Sequence, residues 1–479
     1  MHAEDAYLFS HTVLRDAAYQ MQLPGERAAL HEIAFFEMEN AFGGPAPEPA
    51  SLGEARQRSL DSHPTDAVAL DLAEHARLAM EQAATQRAGM LRARRIIYLQ
   101  RAAEGAHGQF QNQRCAMTWE SLSELLEGRE AAEALRLAGE ARRLNAEPTR
   151  AEVLLKGALQ VFRESGDQHG EAYARSSLGI VYRETGRIAE AEREYLRALK
   201  LFGAVRDRLG ESMAKGNLGN VYQGSGRLME AEQCHHAALD LNHMAGDRLR
   251  VGVTLGNLGT LSLERGMPTE AERLFTDALE IHREVGNRRS EGIALCNLAL
   301  VCQETSRLAE AENYSEQALV VLREVGNRFS EGIAMGNLAL IYRDTGRLDF
   351  SERTLLRALA IHREVANRRF EGIAVGNLAS LYQDMGRLEE AESGYEDAIS
   401  IHREVRNLRF EGTTLCEQAS LRVLSGDPAL AKDGLRAGIA ILRSIGDLKE
   451  IDLQVAAVHK ACAKAGMKPD AVLEEATAC

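Results

Sequence analysis

Three of the fourteen histidines occur in the same setting, as His282, His362 and His402 of an IHREV string. A recurring imidazole suggests a metal site, but the spacing argues against one. Residues forty apart in a repeating helical chain sit at least one helix-packing distance from each other, roughly 8–10 Å, whereas zinc ligands each lie about 2 Å from the ion. We therefore expect no metal and no other cofactor. The seven cysteines contain no C-x-x-C pair, which argues against a zinc ribbon or a disulfide framework and leaves them as small buried apolar residues. The sequence has no G-x-S-x-G, no H-E-x-x-H and no G-x-x-x-x-G-K-[ST], so nucleophilic, zinc-hydrolytic and nucleotide-dependent chemistry all lack their usual residues. Neighbouring acids such as Glu390 and Glu392 fit exposed helix starts better than a glycosidase pair, and no enzymatic activity is expected. The chemistry that does recur is that of the amide. Asn217, Asn257, Asn297, Asn337 and Asn377 follow one another every forty residues, and an amide side chain both donates and accepts hydrogen bonds.

The elements that must position these amides can be read from the composition and the register. Of the 479 residues, only nine are proline, and Pro268 is the only one between Pro148 and Pro428. A stretch so free of breakers and so rich in Ala, Leu, Glu and Arg is helical. The forty-residue spacing holds for Leu178, Leu218, Leu258, Leu298, Leu338 and Leu378, and for Glu192, Glu232, Glu272, Glu312, Glu352 and Glu392. It extends to Asp167, Asp207, Asp247, Asn287, Asn327, Asn367, Asn407 and Asp447. Each unit reads as two helices. Ala334, Leu338, Ile341 and Tyr342 form one apolar stripe, Gly346 supplies the left-handed residue that ends the helix, and Leu348, Leu355, Leu359 and Ile361 form the next stripe. The Asp or Asn at the second break is suited to cap the following helix. A lone pair of helices cannot bury its faces, so the predicted architecture is all-α, an α-solenoid of stacked helix pairs.

The formal charge of −14 argues against a phosphate-binding surface and hence against a nucleic-acid partner. There is no apolar run of membrane-spanning length, and the opening MHAEDAYLFSH lacks the basic flank and apolar stretch of a secretory signal. A cytoplasmic protein with no membrane partner is expected.

Leu218, Gly219, Tyr222, Ala231 and Ala238, with Leu338, Tyr342 and Ala358, fall at the spacing of the tetratricopeptide signature. The forty-residue period and the string GNLGNVYQGSGRLMEAE resemble the long-helix subfamily found in kinesin light chains and in the Leu-Gly-Asn-repeat adaptors. The resemblance implies a right-handed, tetratricopeptide-like superhelix and a non-enzymatic scaffold for signalling or complex assembly. In those families the face carrying the Asn column lines a concave groove, where amides grip the backbone of an extended peptide. By that resemblance the candidate binding residues are Asn217, Asn220, Asn257, Asn297, Asn337, Asn377, Arg343, Glu304, Asp344 and Asp384. The other reading of the Asn column is a structural ladder, with each amide bonded to the neighbouring repeat. Gly216, Gly256, Gly336 and Gly376 sit mid-helix, where glycine costs roughly 0.5–1 kcal/mol relative to Ala. Such a cost points to a close approach, by an adjacent helix in the first place and a ligand backbone in the second. The repeat proteins that clamp chaperone carboxylates carry Lys or Arg at the positions of Gly216, Gly256, Cys296 and Gly336, so that partner class is not expected. The acids at the end of the stripe, Glu264, Glu304, Asp344 and Asp384, favour a basic or amide-rich protein or extended peptide, unless they are simply solvated surface.

Leu8 to Glu39 (LFSHTVLRDAAYQMQLPGERAALHEIAFFEME) resembles the end of the nucleotide-binding module in signal-transduction ATPases with C-terminal helical repeats. That resemblance implies association with a separate ATPase module, or self-association through residues 8–39. It also gives an alternative function, the ligand-sensing domain of such a system without its ATPase half. The expected organisation is a helical segment over 1–42, a Pro/Gly linker over 43–53 and irregular helical repeats over 54–127. Forty-residue repeats then fill 128–447, and a capping helix and tail fill 448–479.

Overall fold

Long breaker-free stretches punctuated by Gly, Asn and Asp build helices of nearly constant length. The computed structural model describes residues 22–52, 61–109, 111–365, 367–469 and 472, and every regular element among them is helical. The chain divides into two units, residues 1–181 and 182–479.

The first unit contains α1 (Pro24–Ala41), a short 3-10 turn (Pro64–Val68), α2 (Ala69–Met80), α3 (Thr85–Gly108), α4 (Asn112–Ser123), α5 (Gly128–Leu144) and α6 (Pro148–Glu164). Phe35, Leu72, Leu91, Tyr98, Trp119 and Leu122 share one core. The Tyr98 hydroxyl donates to Glu39 at 2.5 Å, and burial together with this carboxylate pushes its pKa up. The Pro/Gly stretch expected to act as a linker is laid against α3. Ala46 and Leu52 are buried, and Gln100 Nε2 donates to the Ala50 carbonyl at 3.0 Å. The apolar residues among its prolines give it something to bury. Residues 8–21 of the ATPase-like segment lie outside the described residues.

Helix α7 (Gln168–Glu184) spans the division, and the second unit continues with α8 (Ile188–Ala204), α9 (Arg208–Gly224), α10 (Leu228–Ala245), α11 (Arg248–Glu264), α12 (Pro268–Glu284) and α13 (Arg288–Glu304). It ends with α14 (Leu308–Glu324), α15 (Arg328–Asp344), α16 (Leu348–Glu364), α17 (Arg368–Asp384), α18 (Leu388–Glu404), α19 (Leu408–Leu424), α20 (Pro428–Ser444) and α21 (Leu448–Ala465). From α9 onward odd-numbered helices are the first of each pair and even-numbered ones the second. Each first helix packs on its own second helix, on the preceding second helix and on the next first helix.

The turn chemistry is the one the register predicts. Gly346 ends α15 with φ +74°. The equivalent Ser306 takes φ +59° without being glycine, a conformation that costs a side-chain-bearing residue roughly 1–2 kcal/mol. Asp207, Asp247, Asn287, Asn327 and Asn367 each cap the following helix through a side-chain oxygen, Asn327 for instance accepting from Ser330 N at 3.2 Å. Asn407 makes no such bond.

The joint between repeats is built from one set of charges. Glu331, near the start of α15, is almost fully buried. It accepts from Arg323 Nε at 2.8 Å and Arg328 Nη1 at 2.6 Å, and Arg328 reaches on to Glu364 at 2.5 Å. Glu291 and Glu371 repeat the arrangement with Arg283 and Arg288, and with Arg363 and Arg368. Burial alone would raise the pKa of Glu371, but hydrogen bonds from Arg368 and Arg363 outweigh it and hold the carboxyl below its usual range. The arginines near the second-helix ends are therefore structural, through an ion pair with the next helix rather than through the helix dipole alone. The glutamate column is also used between repeats, as in Arg347–Glu312 at 2.7 Å and Arg387–Glu352 at 2.8 Å.

The IHREV histidines are core residues. A Cβ on Gly332 would come within 2.6 Å of His362 Cε1, and Gly252 and Gly372 receive His282 and His402 in the same way. Leu322 and Leu442 fill the equivalent slots against Gly292 and Gly412. Burial lowers the pKa of His282 and brings His362 and His402 down to about 4. At the end of the chain, α21 lies chiefly on α19, and Ile451, Val458 and Cys462 close a core with Leu435, Ile439 and Leu442.

Candidate functional site

One side of each first helix is committed to its neighbours and the other is not. On α15, Met335 and Leu338 are buried, whereas Asn337 is turned roughly 100–160° away from them at 100° per residue and is half-buried. Asn217, Asn257, Asn297 and Asn377 repeat this placement on α9, α11, α13 and α17, and Asn220 is also half-buried. Among the described residues none of the five column amides hydrogen-bonds to a protein group, so the bonded ladder is not what the structure displays. Beside them, a Cβ on Gly216, Gly256 or Gly336 would meet nothing within 4 Å, and one on Gly376 would make only ordinary contact. The expectation that a neighbouring helix crosses these glycines is thus corrected. The glycines that are crossed, such as Gly332, lie on the line facing the second helix, and the Gly336 position is rotated off that line.

The other candidate residues surround this face. Arg343 is half-buried and donates to Ser380 Oγ at 3.0 Å, with Asp384 at 3.8 Å. Asp344 is exposed and accepts from Gln303 Nε2 at 2.7 Å. Glu304 and Asp384 are exposed. Two of the acids are thus partly engaged by neighbouring first helices.

Extending the register by one step brings in a residue that the Asn column alone does not reveal. The position after Asn377 is Glu417 on α19. Burial raises its carboxyl to about 7, with Glu450 acting in the same sense and Arg343 against it. Burial pushes the Cys296 thiol up to about 12. It raises Glu264, against which Arg409 and Lys449, from the starts of α19 and α21, act favourably. Arg369 is held down by burial and by Arg183. Charged groups distant in sequence thus act on one another. A row of free amides flanked by bare backbone and charges of both signs can hydrogen-bond an extended chain, but it holds no nucleophile–base pair. Among the described residues no three His, Cys, Asp or Glu side chains gather to hold a metal ion, and no helix is long and apolar enough to cross a membrane.

Helix pairs stacked through a repeated joint, with one inner face left unpaired, define an α-solenoid of helical repeats. Two family profiles, both described as tetratricopeptide repeat, match residues 130–204, 211–284 and 290–364, and residues 374–408. Together they cover more than half of the 479 residues, and the chain belongs to the tetratricopeptide repeat family. No curated protein matches the sequence. Among solved structures, a Rap protein complexed with Competence and Sporulation Factor is similar at 12% identity, over 80% of this chain and 99% of that one, with TM-score 0.54. The Rap conjugation gene regulator of plasmid pLS20, in complex with the Phr* peptide, is similar at 14% identity, over 72% and 96%, with TM-score 0.50. A Signal Transduction ATPase with Numerous Domains protein with a tetratricopeptide repeat sensor, from Pyrococcus horikoshii, matches at 16% identity over 97% of this chain and 66% of that one, with TM-score 0.48. At these identities the likenesses concern the fold.

Proposed function

We propose that the chain is a non-enzymatic binding scaffold for signalling or complex assembly, holding an extended polypeptide along the face formed by α9, α11, α13, α15, α17 and α19. The observation that carries this reading is the row of half-buried amides without protein partners, set beside glycines that face open space. An amide left unpaired on an enclosed surface forgoes a hydrogen bond that a peptide unit can restore, a net gain of about 0.5–1.5 kcal/mol each. The bare glycine backbone lets the peptide approach. Two proteins of similar fold hold Competence and Sporulation Factor and the Phr* peptide, which makes a peptide the first ligand to try. Glu304 and Glu417 favour basic or amide-rich segments, since both are acids on the inner face.

The test is the triple variant Asn257→Ala, Asn297→Ala, Asn337→Ala. Binding of the natural polypeptide captured from extract should fall by at least about tenfold, three lost hydrogen bonds at the lower end of that range. Helicity and the thermal midpoint should stay put, because none of the three amides bonds within the protein. A variant that melts several degrees lower while its folded fraction still binds would show that the amides are structural.

A further inference from the structure

The outer side of the repeat formed by α15 and α16 departs from its siblings. In five other repeats the third residue of the second helix is a glutamate: Glu190, Glu230, Glu270, Glu310 and Glu390. Here it is Phe350, which is 58% exposed. Val320 on α14 is similarly exposed, where the three preceding repeats hold Lys200, Asp240 and Glu280 and the two following ones hold the small Ala360 and Ser400. The two residues flank a groove of about 500 Å³ between α14 and α16, floored by Leu338 and Tyr342. This floor is turned roughly 100–140° around α15 from Asn337, so the groove is separate from the amide face.

The charges at its rim have changed as well. On α12, Arg273 is held by Glu270 at 2.6 Å and Asp277 at 2.9 Å. The corresponding arginine on α16 is Arg353, and the places of Glu270 and Asp277 are taken by Phe350 and Arg357. Arg353 and Arg357 are exposed and form no ion pair among the described residues. Of the other charged groups lining the groove, Arg323 is occupied by Glu331 and Glu316 is the one acid. Replacing two acids by an aromatic ring and a second guanidinium leaves an apolar slot with unneutralised positive charge, on a chain whose net charge is −14.

We propose that this outer groove is a second docking site, for an acidic polypeptide segment that inserts one aromatic or aliphatic side chain beside Phe350 and sets carboxylates against Arg353 and Arg357. Guanidinium–carboxylate pairs at such a rim supply selectivity and salt dependence, and the buried anchor supplies affinity.

The probe is a fluorescein-labelled peptide, Glu-Asp-Glu-Leu-Phe-Glu-Asp-Glu, titrated with the full chain and followed by anisotropy. Its control has lysine at every acidic position. Saturable binding of the acidic probe, weakening as salt rises, is expected, with at least about tenfold weaker binding of the control. The double variant Phe350→Glu, Arg357→Asp restores the environment of Arg273 and should bind the acidic probe at least about tenfold more weakly. Its fold should be kept, since sibling repeats carry the same residues. Arg353→Ala gives an independent reading through one exposed side chain. The variant lacking Asn257, Asn297 and Asn337 should bind this probe like the parent, which separates the two sites. The proposal is overturned if the parent shows no saturable binding, if the lysine peptide binds equally well, if both rim variants bind within about twofold of the parent, or if the asparagine variant loses the probe.

Discussion

The variant His235→Phe, His362→Leu, His402→Leu should remove most of the acid sensitivity of the second unit. All three imidazoles are buried, and burial brings each down to about 4 from an unfolded value of 6.5. Between those two values the unfolded chain holds a proton that the folded chain does not, so acidification favours unfolding. The stability each histidine contributes at neutral pH is lost as the pH falls from about 6.5 towards about 4. At about pH 5 nearly 1.5 pH units of that window have been crossed, and at about 1.4 kcal/mol per unit each histidine has cost about 2 kcal/mol. Three such sites in different repeats add to about 6 kcal/mol, a large share of the stability of any domain. The replacements have precedents in the same chain. Phe275 fills the slot against Gly259 as His235 does against Gly219, and Leu322 and Leu442 fill the slots equivalent to those of His362 and His402. Urea titrations of parent and variant at about pH 7 and about pH 5, followed by circular dichroism, give the comparison. Glu417, whose carboxyl is raised to about 7, has the opposite pH dependence but is present in both proteins and cancels in the difference. A variant whose stability falls as steeply as the parent's would refute the assignment of the acid sensitivity to these histidines.

Two glycines four residues apart on α15 should respond with opposite signs. Gly332→Ala puts a Cβ within 2.6 Å of His362 Cε1 and should cost about 1–3 kcal/mol by overpacking. Gly336→Ala meets nothing within 4 Å and should gain about 0.5–1 kcal/mol in helix propensity, both read from urea midpoints. Truncation after Asp447 removes Ile451, Val458 and Cys462 from the terminal core and uncovers Leu435, Ile439 and Leu442. Light scattering should show aggregation of the shortened chain, and a soluble monomer with an unchanged midpoint would contradict the covering role of α21.

The helices, their turns and most of their caps were legible because each is set by local chemistry. Gly346 needs a left-handed backbone, Asn327 caps through its own side chain, and the apolar stripe of Leu338 and Tyr342 follows helical spacing. The direction of approach to a helix was not legible. Gly332 and Gly336 look alike in sequence, yet a small rotation decides that one receives His362 and the other faces open space. The electrostatic reach between Arg183 and Arg369, or between Glu264 and Lys449, joins residues far apart in sequence, and no single repeat encodes that. The departures that matter most, Phe350 among Glu190, Glu230, Glu270, Glu310 and Glu390 and Glu417 in the asparagine column, are visible as breaks in register. A break says that something differs, and only the packed neighbours say what it faces.

The joint made by Glu291, Glu331 and Glu371 with their paired arginines gives the molecule interchangeable seams. Arg283 meets Glu291 as Arg323 meets Glu331 and Arg363 meets Glu371. A forty-residue block lost between two such seams would leave the chain joined by the same contacts it had before. The length of the binding face can therefore change during evolution in whole blocks, without any new interface having to be invented. What cannot be exchanged freely is a block that has acquired its own surface, as the one bearing Phe350 has.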